Sequence, residues 1–198
     1  MAVSARRGQP LTSEEIYAAA LRLLDTAGVD GLSMRKLAAE LDVNPMSLYH
    51  HVENKQALVR GACAAVVSRL RLPPDDGAPW QEQLRTLAHA YRSLAHSHPS
   101  LWSYVDGHPD LVDQESGLWA VFNRILVAAG IPAGELVRTR TTLYAFVSGF
   151  LSAETSGLLA ELGGETGADT TFADTTFESA VDLIVAGIET RHRASGDR

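Results

Sequence analysis

Nineteen residues near the N-terminus constrain the fold most: Ser33-Met-Arg-Lys-Leu-Ala-Ala-Glu-Leu-Asp-Val-Asn-Pro-Met-Ser-Leu-Tyr-His-His51. They hold two short helical patterns separated by a three-residue turn. Ser33 is a good N-cap, and Leu37, Ala38 and Leu41 follow it at the spacing of one buried helical face. Asn44 caps the second pattern, and Pro45 takes its first position, where a missing N–H is not needed. Leu48 and Val52 point inward from it. This spacing is that of a helix-turn-helix, which places the second helix where it can enter a DNA major groove.

The rest of the chain also reads as helix. Thr12 and Glu15 stand at capping-box spacing, and Leu11 can staple onto Ile16. Ile16, Ala19, Ala20, Leu23, Leu24 and Ala27 then repeat at helical spacing until Gly28 ends the helix. Asn54 caps a fourth helix running to about Leu70. Leu72-Pro-Pro-Asp-Asp-Gly-Ala-Pro79 has the composition of a linker. The expected organisation is a helix-turn-helix domain over 1–71, a linker over 72–79 and a helical domain over 80–198. Within the last, helices are predicted near 80–97, 114–129, 134–160 and 174–192, with broken helix and loop over 98–113 and a flexible loop over 161–173. The fold class is all-α.

No apolar run reaches the ~18 residues of a membrane span. The N-terminal residues lack the apolar core of a signal peptide. The single cysteine, Cys63, rules out an intrachain disulfide and fits a cytoplasmic protein. The formal net charge is -7, unevenly spread. Residues 1–71 hold 9 Lys/Arg against 7 Asp/Glu, whereas residues 72–198 hold 8 against 17. The two parts are suited to different partners.

The outward face of the second motif helix offers Pro45, Met46, Ser47, Tyr49, His50 and His51. It has no arginine, so the usual bidentate contact to guanine is missing there. Pro45 and Met46 suit thymine methyls, Ser47 a base or phosphate, and Tyr49 and the histidines the phosphate–sugar edge. Arg35 is the nearest guanine reader, and Lys36 beside it suits a phosphate. Lys55 opens the fourth helix, where a cation opposes the helix dipole. A phosphate docked on that helix start would turn the cost into a gain; a solvated, indifferent lysine is the alternative.

Residues 11–60 resemble the DNA-binding domain of the tetracycline-repressor family. The likeness runs through Ala19, Leu21, Leu24, Ala27-Gly28, Gly31-Leu-Ser-Met-Arg-Lys-Leu-Ala38, Leu41, Val43, Leu48-Tyr-His-His-Val52 and Asn54-Lys55. It is strongest to the family's tetracycline-repressor branch, whose linker also leads into a Trp-containing helix, as at Trp80. The resemblance implies DNA contacts from Arg35, Pro45, Met46, Ser47, Tyr49, His50, His51 and Lys55. Asp42 stands where the family commonly has a turn glycine, and Asp tolerates the left-handed conformation at modest cost. The differing recognition side chains imply a different operator. Arg71 stands where that branch has a metal-binding histidine, so tetracycline is not the implied effector.

The resemblance also implies a C-terminal helical domain for ligand binding and dimerisation. Phe177, Ala180, Val181, Ile184, Val185 and Ile188 form one apolar stripe; Leu143, Phe146, Val147, Phe150 and Leu151, beside small residues, form another. They suit either a four-helix homodimer interface or an intrachain core; the two reading heads of a palindromic operator favour the dimer. Candidate ligand-pocket walls are Tyr91, Trp102, Tyr104, Trp119, Phe122, Asn123 and Tyr144, with Leu87, Leu118, Leu126 and Val147. The same side chains would serve an ordinary core. His89 and His96 are seven residues apart, not the four that would let them share an ion, so no metal is expected. Cys63 sits among small residues as a packing group.

No nucleophile–base set, glycine-rich phosphate loop or paired carboxylates point to an enzyme. The function expected is a DNA-binding repressor, released from its operator by a small hydrophobic effector and needing no cofactor. The alternative is a helical interaction adaptor whose motif has lost DNA binding.

Overall fold

Each of the first four helices starts on a side-chain cap at the position its sequence spacing requires. The computed structural model describes residues 10–106, 108, 117–163 and 171–196. The basic N-terminal residues, the expected helix start at 114 and the middle of the loop expected over 161–173 lie outside the described residues. Helix α1 (Ser13–Gly31) opens on the capping box: Thr12 Oγ1 accepts from Glu15 N–H, and Glu15 Oε2 accepts from Thr12 N–H at 3.0 Å. Ser33 Oγ accepts from Lys36 N–H to start α2 (Met34–Glu40). Asn44 and Asn54 do the same for α3 (Pro45–Tyr49) and α4 (Lys55–Val67), accepting from Met46 and Ala57 N–H at 2.9 and 2.8 Å. Gly28 has φ 65° and ψ -179°, a conformation nearly confined to glycine, so the axis of α1 breaks there. Helix α4 stops short of the expected Leu70, because Ser68 and Arg69 N–H already bond back to Ala64 and Val66.

The described residues fall into two compact units. The first comprises Met1–Arg69 with His98–Asp113. Its core joins Ile16, Leu24, Leu37, Leu48, Leu58 and Val59, all fully buried. Helices α1 and α4 cross closely at Gly61, where an added Cβ would lie 2.2 Å from the Tyr17 ring. The segment expected as broken helix and loop supplies α6 (Pro99–Asp106), which packs on α1 and buries Leu101 and Trp102. Pro99 starts this helix instead of breaking it, since its ring suits a first helical position. His98 Nδ1 lies 3.0 Å from Asp25 Oδ2 on α1.

The second unit comprises Leu70–Ser97 and Gln114–Arg198. It contains α5 (Trp80–Ser97), α7 (Gly117–Ala128), a 3-10 turn (Ala133–Glu135), α8 (Leu136–Thr155), α9 (Leu158–Gly163) and α10 (Thr171–Gly196). Leu84, Leu87, Ile125, Leu126, Val185 and Ile188 centre its core. The helix expected over 134–160 is divided, because Gly157 takes φ 83° and turns the chain between α8 and α9. The proline-rich stretch is held: Arg124 Nη2 donates to Pro73 O at 2.7 Å and Gln83 Oε1 at 3.1 Å. Among the described residues there is no strand, and no helix is long and apolar enough to cross a membrane.

The apolar stripe of α10 is chiefly intrachain core: Phe177, Val181, Val185 and Ile188 are buried in this single chain. Large apolar groups left exposed on the two long helices are Leu183, at 74%, Val137, at 66%, and Phe146, at 50%. The 3.6-residue period locates an apolar face but does not say which neighbour covers it.

Candidate nucleic-acid interface and apolar cleft

The turn between α2 and α3 closes by a paired set of backbone bonds: Asp42 N–H to Ala39 O at 3.3 Å and Val43 N–H to Ala38 O at 3.0 Å. This is a Schellman closure, and its left-handed residue is Asp42, with φ 53°. Beyond it, α3 is anchored by Leu48, fully buried, and by Val52. That anchorage turns Met46 (65% exposed) and Tyr49 (48%) outward. Pro45, His50 and His51 are exposed too, and Ser47 is half-buried. Arg35 and Lys36 are exposed on the first turn of α2. The polar side chains of this surface enter no ion pair among the described residues.

Lys55 is committed. It opens α4, but its ammonium reaches back to donate to Val29 O at 2.6 Å, at the end of α1. The cation thus meets the Val29 carbonyl just past the Gly28 break in α1. Its long side chain is half-buried in this bridge. Of the first-turn N–H groups of α4, that of Ala57 is taken by the Asn54 cap.

In the second unit, α5, α7 and α8 line a small half-open cleft of about 50 Å³, bounded by Leu84, Leu87, Ala88, Tyr91, Leu118, Trp119, Phe122, Leu143, Tyr144 and Val147. The aromatic rings touch: Trp119 and Tyr144 centroids are 5.0 Å apart, Tyr91 and Tyr144 6.2 Å, Trp119 and Phe122 6.4 Å. Seven of the expected walls, Leu87, Tyr91, Leu118, Trp119, Phe122, Tyr144 and Val147, therefore line the cleft together. Asn123 stands beside the cleft, its Oδ1 accepting from Arg140 Nη1 at 3.4 Å. Arg140 also lies over the Trp119 ring, 4.7 Å from its centroid. Trp102 and Tyr104 are placed elsewhere: both are on α6 in the first unit, where Trp102 is buried and Tyr104 stacks on His108. Leu126 serves the core. Leu84, Ala88 and Leu143 line the cleft although none is among the expected walls; Leu84 and Ala88 share a face of α5. Their register with Leu87 and Tyr91, three, four and seven residues along α5, was a usable signal. Arg140 gave none, because nothing local distinguishes it from a solvated arginine.

The histidines have protein partners. His89 meets Glu178 and the edge of Phe177, His96 lies 3.0 Å from Glu154, and His108 Nδ1 is 2.8 Å from Tyr104 O. Glu154 also takes Arg92, which reaches Asp174 as well. The Glu154 carboxylate, hydrogen-bonded to it, holds the Arg92 guanidinium above its ordinary pKa. Burial pushes the Cys63 thiol up to about 12, so it stays protonated and unreactive.

An exposed helix-turn-helix reading face and a separate apolar cleft define a class, the helix-turn-helix regulators with a second helical unit. Residues 16–62 match the family described as "Bacterial regulatory proteins, tetR family", and residues 72–172 match "Tetracyclin repressor-like, C-terminal domain". The chain belongs to the tetR family of bacterial regulatory proteins. An HTH-type transcriptional regulator of Saccharopolyspora erythraea is 31% identical over 144 residues, 73% of this chain; the chain spans 61% of that relative's length. Among solved structures, BioQ with its double-stranded DNA operator aligns with TM-score 0.71 and 27% identity, over 90% of this chain and 98% of that one. A TetR variant from Acinetobacter baumannii in complex with minocycline aligns with TM-score 0.74 and 26% identity, over 92% and 98%.

Proposed function

We propose that this chain is a transcriptional repressor, not an enzyme, that binds a palindromic operator in the cytoplasm as a homodimer and is released by a small hydrophobic effector. The observation that carries this is the α3 surface: a helix locked by buried Leu48 presents Met46 and Tyr49 outward with no partner of its own chain to explain their exposure. BioQ, a structural relative bound to an operator, supports the same use of this helix here. Pro45 and Met46 then meet thymine methyls, and Ser47, Tyr49, His50 and His51 meet bases or phosphates. Arg35 reads a guanine and Lys36 neutralises a phosphate. Lys55 acts by holding the start of α4 against the end of α1, so that its N–H groups meet the DNA backbone.

Exposed Phe146 and Leu183 supply apolar surface for a second copy, and a dimer gives the two heads that half-sites one helical turn apart require. The cleft bounded by Tyr91, Trp119, Phe122 and Tyr144, with Asn123 at its edge, holds the effector. A minocycline-bound structural relative supports a small-molecule role for this unit. Effector binding changes the separation of the two heads and so lowers operator affinity.

Fluorescence anisotropy on the duplex upstream of the chain's own gene tests the contacts. Tyr49→Ala and Lys55→Ala are expected to weaken binding across all sequences, and Arg35→Ala to cost about 1–3 kcal/mol and relax preference at one base position. Unchanged affinity in all three variants would refute the assignment.

A further inference from the structure

We propose that the cleft takes an aromatic anion, its flat body between Trp119, Tyr91, Phe122 and Tyr144 and its acidic group against Arg140; this rests on the effector reading above. Arg140 is half-buried on α8, one turn before Tyr144, with its guanidinium over the Trp119 ring. Its Nε is enclosed and has no hydrogen-bond partner. Its hydrogen-bond acceptor among the described residues, Asn123 Oδ1, is neutral and lies at 3.4 Å, the long end of a hydrogen bond. No carboxylate pairs with it among the described residues.

This isolation is local. Acidic residues outnumber basic ones by 17 to 8 over residues 72–198. Arg85 meets Asp182 and Arg92 meets Glu154 and Asp174, whereas Arg124 hydrogen-bonds the Pro73, Pro74 and Gln83 oxygens and lies 3.9 Å from exposed Asp75. Arg140, over a wall of the cleft, has a neutral acceptor and no carboxylate partner among the described residues. The indole Nε1 of Trp119, beneath that guanidinium, is also enclosed without an acceptor. A buried N–H donor without an acceptor is completed by a group rich in acceptors, and a guanidinium binds carboxylate-like groups best. The walls themselves are aliphatic and aromatic, with no acidic side chain to hold a cation. An anion carried on an aromatic frame meets both requirements, and an organic cation would meet Arg140 at a cost.

The test uses a matched pair of fluorescent probes. N-phenyl-1-naphthylamine is the neutral frame, and 8-anilino-1-naphthalenesulfonate carries an added sulfonate. Each is titrated into the full-length protein, into Arg140→Gln and into Ala88→Trp, which fills the cleft; thermal melting checks that both variants fold. The expected result is sulfonate binding about 10-fold tighter than the neutral frame in the native chain. In Arg140→Gln that preference disappears while neutral-frame binding is unchanged, and Ala88→Trp loses both probes. Equal affinities in the native chain, or a preference that survives Arg140→Gln, overturn the anion assignment; if Ala88→Trp still abolishes neutral-frame binding, the cleft reading stands. Absence of binding by either probe, or binding untouched by Ala88→Trp, overturns both.

Discussion

Asp42 shows how one residue sets the geometry of the reading head. Its φ of 53° closes the turn that aims α3, and a β-branched side chain there meets strong backbone crowding. Asp42→Val is expected to lower stability by about 1–2 kcal/mol, and Asp42→Gly to match or exceed the native chain, measured by urea denaturation. Equal stability of all three would contradict a left-handed requirement. The conformation was legible in the sequence, because the turn is short and Asp is among the few residues that tolerate it. The partner of Lys55 was not. A position at a helix start suggested a cation waiting for phosphate, whereas the side chain is long enough to reach the Val29 carbonyl across the unit. Long flexible side chains choose partners in three dimensions, and Arg140 escaped notice for the same reason. If the Val29 bridge positions α4, Lys55→Met lowers stability by about 0.5–1.5 kcal/mol as well as weakening DNA binding. A loss of DNA affinity with no change in urea midpoint would instead assign the ammonium to phosphate directly.

At the scale of elements, starts were legible and ends less so. Thr12, Ser33, Asn44 and Asn54 cap as their spacing requires, since capping is decided within four residues of chain. The ends of α4 and α8 depend on which carbonyls later residues bond back to, and Gly157 was not weighed as a break within 134–160. Helix α6 was missed because Pro99 and its flanks look like breakers until the helix has α1 to pack on. The element with most electrostatic content is the junction of α5, α8 and α10. Glu154 is buried to 4% exposure and receives Arg92, whose own side chain is 14% exposed. Arg92→Met leaves that carboxylate unpaired apart from His96, and a loss of about 3–5 kcal/mol is expected. Replacing both, Arg92→Met with Glu154→Leu, should recover most of it. A double variant no more stable than the single one would show that packing, not the buried charge, sets the cost.

The whole molecule separates two tasks. The first unit has an exposed apolar and aromatic face, and the acidic second unit has an apolar cleft. Composition suggested the boundary at 72–79, but compactness assigns His98–Asp113 to the first unit, so α6 returns to it after α5 has run through the second. That return is a long-range packing event with no local signature, and it is why Trp102 and Tyr104 belong to the first unit. An interaction adaptor built on the same fold would share every one of these packing features, so the decision belongs to DNA itself.

The most direct measurement is anisotropy titration of the full-length protein on the duplex upstream of its own gene and on a random duplex, repeated across salt concentrations. The account predicts binding at least ~10³-fold tighter to the first at physiological salt. It also predicts a stoichiometry of two chains per site and an affinity that falls steeply with salt as phosphate contacts release counterions. Equal affinity for both duplexes, or no binding to either, would contradict it.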